Sequence, residues 1–121
     1  MLIGGCYCGL IRYEVLGEPC HITNCHCSIC RRTTGAPFVS WFSVQPQEFR
    51  FTKGTPTFFR STVNGRRSFC PSCGTQLTFE DSDEPTMIDI TICSLDDPEL
   101  LSPEDNIYID SQLNWINLNT R

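Results

Sequence analysis

Three cysteines crowd into the stretch Asn24-Cys25-His26-Cys27-Ser28-Ile29-Cys30, and Arg31 and Arg32 follow at once. In an extended segment successive side chains alternate faces, so Cys25 and Cys27 point one way and His26 the other. If the chain then turns into a short helix, Cys30 falls three residues past Cys27 on the same face. A structural zinc normally takes four protein ligands, whereas a catalytic one keeps three and leaves the last place for water or substrate. Because the local count stops at three, the spacing predicts an open, substrate-accessible zinc site at Cys25, Cys27 and Cys30. Two readings compete with it. One is a structural site closed by a distant Cys20, His21, His26 or Cys93, of which Cys20 and Cys93 read more simply as small buried hydrophobes. The other is a metal-free thiol cluster that forms a disulfide on oxidation.

A second set of cysteines lies far apart in the chain, Cys6-x-Cys8 between Gly5 and Gly9 and the knuckle Cys70-Pro71-Ser72-Cys73-Gly74. Two half-sites of two thiolates complete a tetrahedron, which predicts a structural zinc on Cys6, Cys8, Cys70 and Cys73. A redox C-x-x-C is the alternative, but it belongs to an α/β pattern that this sequence lacks. Two zinc ions per chain are therefore expected, one structural and one catalytic.

The elements that must position these residues read as strands. Leu10 to Leu16, Cys20 to His26, Phe38 to Val44, Phe49 to Phe51, Thr57 to Val63, Arg66 to Phe69, Gln76 to Glu80, Met87 to Cys93 and Ile107 to Asp110 show period-2 alternation or β-branched and aromatic runs. Ser28 to Thr33 fits one or two helical turns stopped by Gly35 and Pro37. Asn64-Gly65 is a two-residue hairpin signal. Asp81 to Pro85 is an acidic solvated turn. Trp115, Ile116 and Leu118 are expected to pack back on the domain. The sum is an all-β metalloprotein with one short helix, a single domain over residues 1–121.

Nine cysteines in 121 residues raise the thought of a secreted disulfide scaffold. The odd count, the clustering of seven of them and a start without an export signal favour metal and a cytoplasmic address. No apolar run approaches a membrane span. The formal charge of −5 falls to about −8 once seven thiolates are set against two Zn²⁺. That disfavours nucleic acid unless Arg31, Arg32, Arg66 and Arg67 gather in one patch. Trp41, Phe42, Phe58 and Phe59 read as core, with an exposed patch and pairing into a homo-oligomer as the other possibility.

The order G-G-C-x-C-G, then N-C-H-C-S-I-C-R-R, then F-C-P-S-C-G-T-Q-L resembles the glutathione-dependent formaldehyde-activating enzyme family, also called the centromere protein V family. Gly35-Ala36-Pro37 and Ser94-Leu95-Asp96 resemble family positions too. The resemblance implies the Mss4-like fold, a zinc-dependent β-sandwich of curled antiparallel sheets. It implies a structural zinc on Cys6, Cys8, Cys70 and Cys73 and a catalytic one on Cys25, Cys27 and Cys30. Many members carry a histidine before the last strand, where this chain has Asn106. The function expected is a carbon-sulfur lyase handling a thiol adduct such as S-hydroxymethylglutathione, with glutathione as co-substrate and Arg31 and Arg32 neutralising its carboxylates. A non-catalytic, zinc-held protein-binding module and a thiol redox sensor are the alternatives.

Overall fold

A computed structural model describes residues 1–117. Ten strands and one α-helix occur among them: β1 (Leu2–Gly5), β2 (Arg12–Val15), β3 (Cys20–Cys25), α1 (Ser28–Thr34), β4 (Val39–Val44), β5 (Phe49–Lys53), β6 (Thr57–Arg60), β7 (Gly65–Phe69), β8 (Gln76–Asp81), β9 (Ile88–Thr91) and β10 (Asp105–Ile107). They form a three-stranded sheet in the order β1-β2-β5 and a seven-stranded sheet in the order β10-β3-β4-β9-β8-β7-β6. The mainly β architecture with one helix is the expected one. Pairing departs from an all-antiparallel arrangement at one edge, where β10 runs parallel to β3 and sets Ile107 opposite Cys25.

Strand periodicity gives the large sheet two different faces. Ile22, Phe42, Val44, Leu77, Ile88 and Ile90 pack with Tyr13 and Val15 of the small sheet, and with Ile11 just before β2, in the main core, which also takes in Cys6 and Cys70. Thr23 and Cys25 on β3, Trp41 and Ser43 on β4, Arg67 on β7, Phe79 on β8 and Asp89 on β9 line a cleft on the other face. One-residue alternation thus separates core from cleft on β3, β4 and β9, while on β8 a register shift against β7, between Ser68 and Phe69, lets Leu77 face the core although it lies two residues from Phe79. Tyr13 ties the two sheets as well as filling the core. Its hydroxyl lies 2.6 Å from Ser94 Oγ, and a Cβ on Gly4 would fall 2.5 Å from the Tyr13 hydroxyl oxygen and closer still to the Ser94 carbonyl oxygen, so the close approach of β1 requires glycine.

Several expectations are corrected. Leu2–Gly5, for which no element was expected, is a strand paired with β2. Asn64-Gly65 is not a two-residue turn: the loop lies between Arg60 and Gly65, neither Asn64 nor Gly65 has the positive φ such a turn needs, and Thr62 Oγ1 accepts from Gly65 N instead. The last strand is Asp105–Ile107, and Ile109–Ser111 is a 3₁₀ turn because Tyr108 turns left-handed at φ 57°. Cys93 lies in a 3₁₀ turn after β9 and is exposed rather than buried. Trp41 and Phe42 are core residues, but Phe58 and Phe59 on the edge strand β6 are exposed, as is Trp115. Leu118 lies outside the described residues. No helix among those described is long and apolar enough to cross a membrane.

Candidate functional site

The loop between β1 and β2 brings Cys6 and Cys8 against the knuckle between β7 and β8, which carries Cys70 and Cys73. The four sulfurs lie within 4.8 Å of one another. A metal such as zinc, bonded to sulfur at about 2.3 Å, sets tetrahedral S–S edges of about 3.8 Å. The observed Cys6–Cys8 and Cys8–Cys70 separations are 3.6 and 3.7 Å, so this donor set fits such an ion. The backbone is arranged for thiolates: Ile11 N donates to Cys6 Sγ at 3.2 Å, and Ser72 N and Cys73 N donate to Cys70 Sγ at 3.3 and 3.4 Å. The Thr75 hydroxyl and main chain hold the Cys73 thiol down at about 5. Thr75 Oγ1 also accepts from Tyr7 N, joining the two loops.

Cys25 ends β3, and Cys27 and Cys30 belong to the entry of α1. Cys27 is the N-cap, its sulfur accepting from Cys30 N at 3.2 Å, and Gly35 closes the helix left-handed at φ 71°. The three sulfurs converge within 4.8 Å, and among the described residues no His, Cys, Asp or Glu adds a fourth ligand atom. They sit with Val39, Trp41 and Phe79 in a second, smaller apolar cluster. Hydrogen bonding from Cys25 and the Arg67 guanidinium hold the Cys30 thiol well below its ordinary range, while the same pairing, together with burial, pushes Cys25 up. A group of thiols that stabilises one anion in this way is suited to a cation.

This cluster opens into the cleft, about 670 Å³ in volume, within the range of small-molecule sites. Asp81, Glu84, Asp89 and Asp105 line its walls, and Arg67 is its guanidinium. Burial pushes the Asp89 carboxyl up, partly offset by the hydroxyl of Ser43, which donates to it at 2.5 Å. Arg67 is only 3% exposed. Its guanidinium lies over Phe79 at 4.8 Å and Trp41 at 5.9 Å; Nη2 donates to Cys30 Sγ at 3.6 Å and Nε to Ser61 Oγ at 3.1 Å. Nη1 is buried without a partner among the described residues. Leaving such a donor unpaired costs about 1–3 kcal/mol.

Comparison with known proteins agrees with this geometry. The family model "Glutathione-dependent formaldehyde-activating enzyme" matches residues 1–111. The chain belongs to that family. A Halomonas elongata protein, provisionally named a glutathione-dependent formaldehyde-activating enzyme, is 24% identical over the whole of this chain and 83% of its own length. An uncharacterized lyase of Schizosaccharomyces pombe is 29% identical over 63% of this chain and 55% of its own. A crystal structure of a Rhodobacter sphaeroides protein shares the fold, with a TM-score of 0.69 at 23% identity, covering 87% of this chain and 99% of that one.

In this member of the glutathione-dependent formaldehyde-activating enzyme family, the residues proposed from spacing fall in different places. All seven clustered cysteines come together as the two expected groups. Cys20, His21, His26 and Cys93 join neither. Arg31 Nη1 donates to His26 O and to Ser111 O, at 3.2 and 2.6 Å, tying α1 to the chain after β10, and neither Arg31 nor the neighbouring Arg32 is among the cleft's lining residues. His26 is fully buried, stacked on Phe38, with Nε2 2.9 Å from Asn106 Oδ1. That oxygen only accepts, so Nε2 carries the proton. Asn106 therefore holds a histidine behind the cysteines and does not line the cleft. Arg67 is the cleft residue that spacing alone missed. Its signal was strand parity: the adjacent Arg66 faces out to Glu80, which turns Arg67 inward.

Proposed function

We propose that this protein makes and breaks the carbon-sulfur bond of a thiol-aldehyde adduct such as S-hydroxymethylglutathione, with the chemistry at Cys25, Cys27 and Cys30 and a purely structural role for Cys6, Cys8, Cys70 and Cys73. The observation that carries this reading is the convergence of three cysteine sulfurs, without a fourth ligand among the described residues, beside an open cleft. A Zn²⁺ held there would accept a substrate thiolate as its fourth ligand and lower that thiol's pKa. Trp41, Phe79 and the other apolar residues around Cys25 and Cys30 keep bulk water from that side of the sulfurs. Cys27, as helix cap, fixes the direction in which α1 presents Cys30.

Family membership and the names of the relatives support a glutathione-type thiol as the partner. The acidic lining of the cleft and the net charge argue against nucleic acid. Nine free cysteines suit the reducing cytoplasm. The test is the zinc content of anaerobically purified protein and of a Cys25→Ala/Cys27→Ala variant, each with and without glutathione, together with the rate of S-hydroxymethylglutathione formation. Two zinc ions falling to one in a folded variant, with thiol binding and rate acceleration confined to the wild type, support the proposal. One zinc in both, or equal rates, would refute it. Thiol or peptide binding without acceleration would favour a binding module.

A further inference from the structure

Resting on that reading, we infer that Arg67 is a catalytic residue of the site, its Nη1–H donating to the substrate oxygen carried on the carbon bonded to sulfur. The substrates selected are then hemithioacetals and the aldehydes that form them, rather than thiols or thioethers in general.

Arg67 cannot lose its charge in a protein, and its five N–H groups form a rigid fork. Here the fork is committed in part: Nη2 contacts Cys30 Sγ and Nε contacts Ser61 Oγ. Phe79 and Trp41 hold the guanidinium plane from its apolar side. Of the fork's nitrogens, Nη1 is buried without an acceptor among the described residues. Because Nη1 and Nη2 share one planar group, a donor in want of an oxygen lies one guanidinium width from a donor already on a cysteine of the reactive cluster. Among the described residues lining the cleft, the only other basic side chain is His21, for which no such contact with the cysteines occurs.

The reaction supplies the missing acceptor. When a thiolate adds to an aldehyde, a sulfur lone pair forms the C–S bond, the C=O π pair moves onto oxygen, and the oxygen then takes from water a proton equivalent to the one the thiol gave up. In reverse the hydroxyl loses that proton, C=O re-forms, and the C–S pair returns to sulfur. In both directions negative charge develops on the oxygen attached to the carbon next to sulfur. A fixed, desolvated donor beside the sulfur stabilises that charge without having to reorganise.

Arg67→Met keeps an unbranched stem between Phe79 and Trp41, and Arg67→Lys keeps the charge without the fork. Each is compared with the wild type for zinc per chain, glutathione affinity and the rate of formaldehyde exchange into S-hydroxymethylglutathione, followed by NMR exchange spectroscopy. The expectation is two zinc ions and glutathione affinity within about threefold of wild type in both variants, with exchange slowed on the order of 100-fold, the cost of losing one such donor. Wild-type exchange in Arg67→Met would overturn the inference. So would parallel loss of zinc, affinity and rate in both variants, which would make Arg67 a scaffold for the cysteines. A wild type that binds glutathione without accelerating exchange would instead remove the proposed function, and this inference with it.

Discussion

Replacing one ligand in each cysteine group should have unequal consequences, and the inequality follows from chain topology. Cys27→Ser is the gentler perturbation, because a serine hydroxyl can still accept from Cys30 N as the cap of α1. The group it disables is local, with Cys25 and Cys30 on one strand-to-helix turn. Cys70→Ser disables a group that joins Cys8 to Cys70, 62 positions apart, and Cys70 is fully buried in the main core. Treated as a cross-link that restricts the unfolded chain, a bridge over about 60 residues contributes about 4 kcal/mol, and one over about 5 residues contributes about 2 kcal/mol. Net stability of a small domain is about 5–15 kcal/mol. At about 4 °C per kcal/mol for this size, Cys70→Ser should lower the Tm by roughly 15 °C or more, and Cys27→Ser by roughly 8 °C at most. Far-UV circular dichroism melts under anaerobic conditions, paired with metal analysis, measure both. Each variant should lose one metal ion. Equal Tm losses, or a larger loss for Cys27→Ser, would refute the division into a structural and a reactive centre.

Asn106→Ala should cost about 2 kcal/mol, because it strips the acceptor from Nε2 of the fully buried His26. Urea denaturation should record that loss while glutathione affinity stays unchanged; a fall in affinity would place Asn106 at the cleft after all. Asp89→Asn tests the carboxyl that burial pushes above its usual value of 3.8. A raised folded pKa means that the ionised form is held at a cost, which is absent below the unfolded value and grows as pH rises from there through the folded value. The amide still accepts from Ser43, so the variant should melt higher than wild type at pH 8, the gain shrinking toward pH 4. A gain independent of pH, or a lower Tm at pH 8, would contradict this.

Local patterns carried most of the architecture. The apolar alternation of Ile88, Ile90 and Ile92, and the spacing from Cys27 to Gly35, were enough to place β9 and α1. What escaped was set by distant pairing. Leu2–Gly5 holds two glycines, and β10 is a polar edge strand exposed along its length, so neither shows period-2 hydrophobicity. Each is a strand only because β2 or β3 offers a partner. The cysteine groups were legible because ligand spacing within each half-site is local. Arg31 and Arg32 stand next to the cysteines in sequence, yet strand parity makes Arg67 the arginine that lines the cleft. Phe58 and Phe59 illustrate the same limit: β6 is an edge strand, and only the sheet order reveals that these rings stay exposed. Arg66 stacks over Phe58 at 4.1 Å, so part of this exposed aromatic surface is covered by a side chain of β7.

The most direct test of the central claim is to replace the metal with Co²⁺ and titrate the anaerobic protein with glutathione, following the sulfur-to-cobalt charge-transfer band. A spectrum of seven thiolates, from Cys6, Cys8, Cys25, Cys27, Cys30, Cys70 and Cys73, is expected to grow toward eight as glutathione saturates, with no growth in Cys27→Ser. A wild-type band that stays unchanged at saturating glutathione would contradict it.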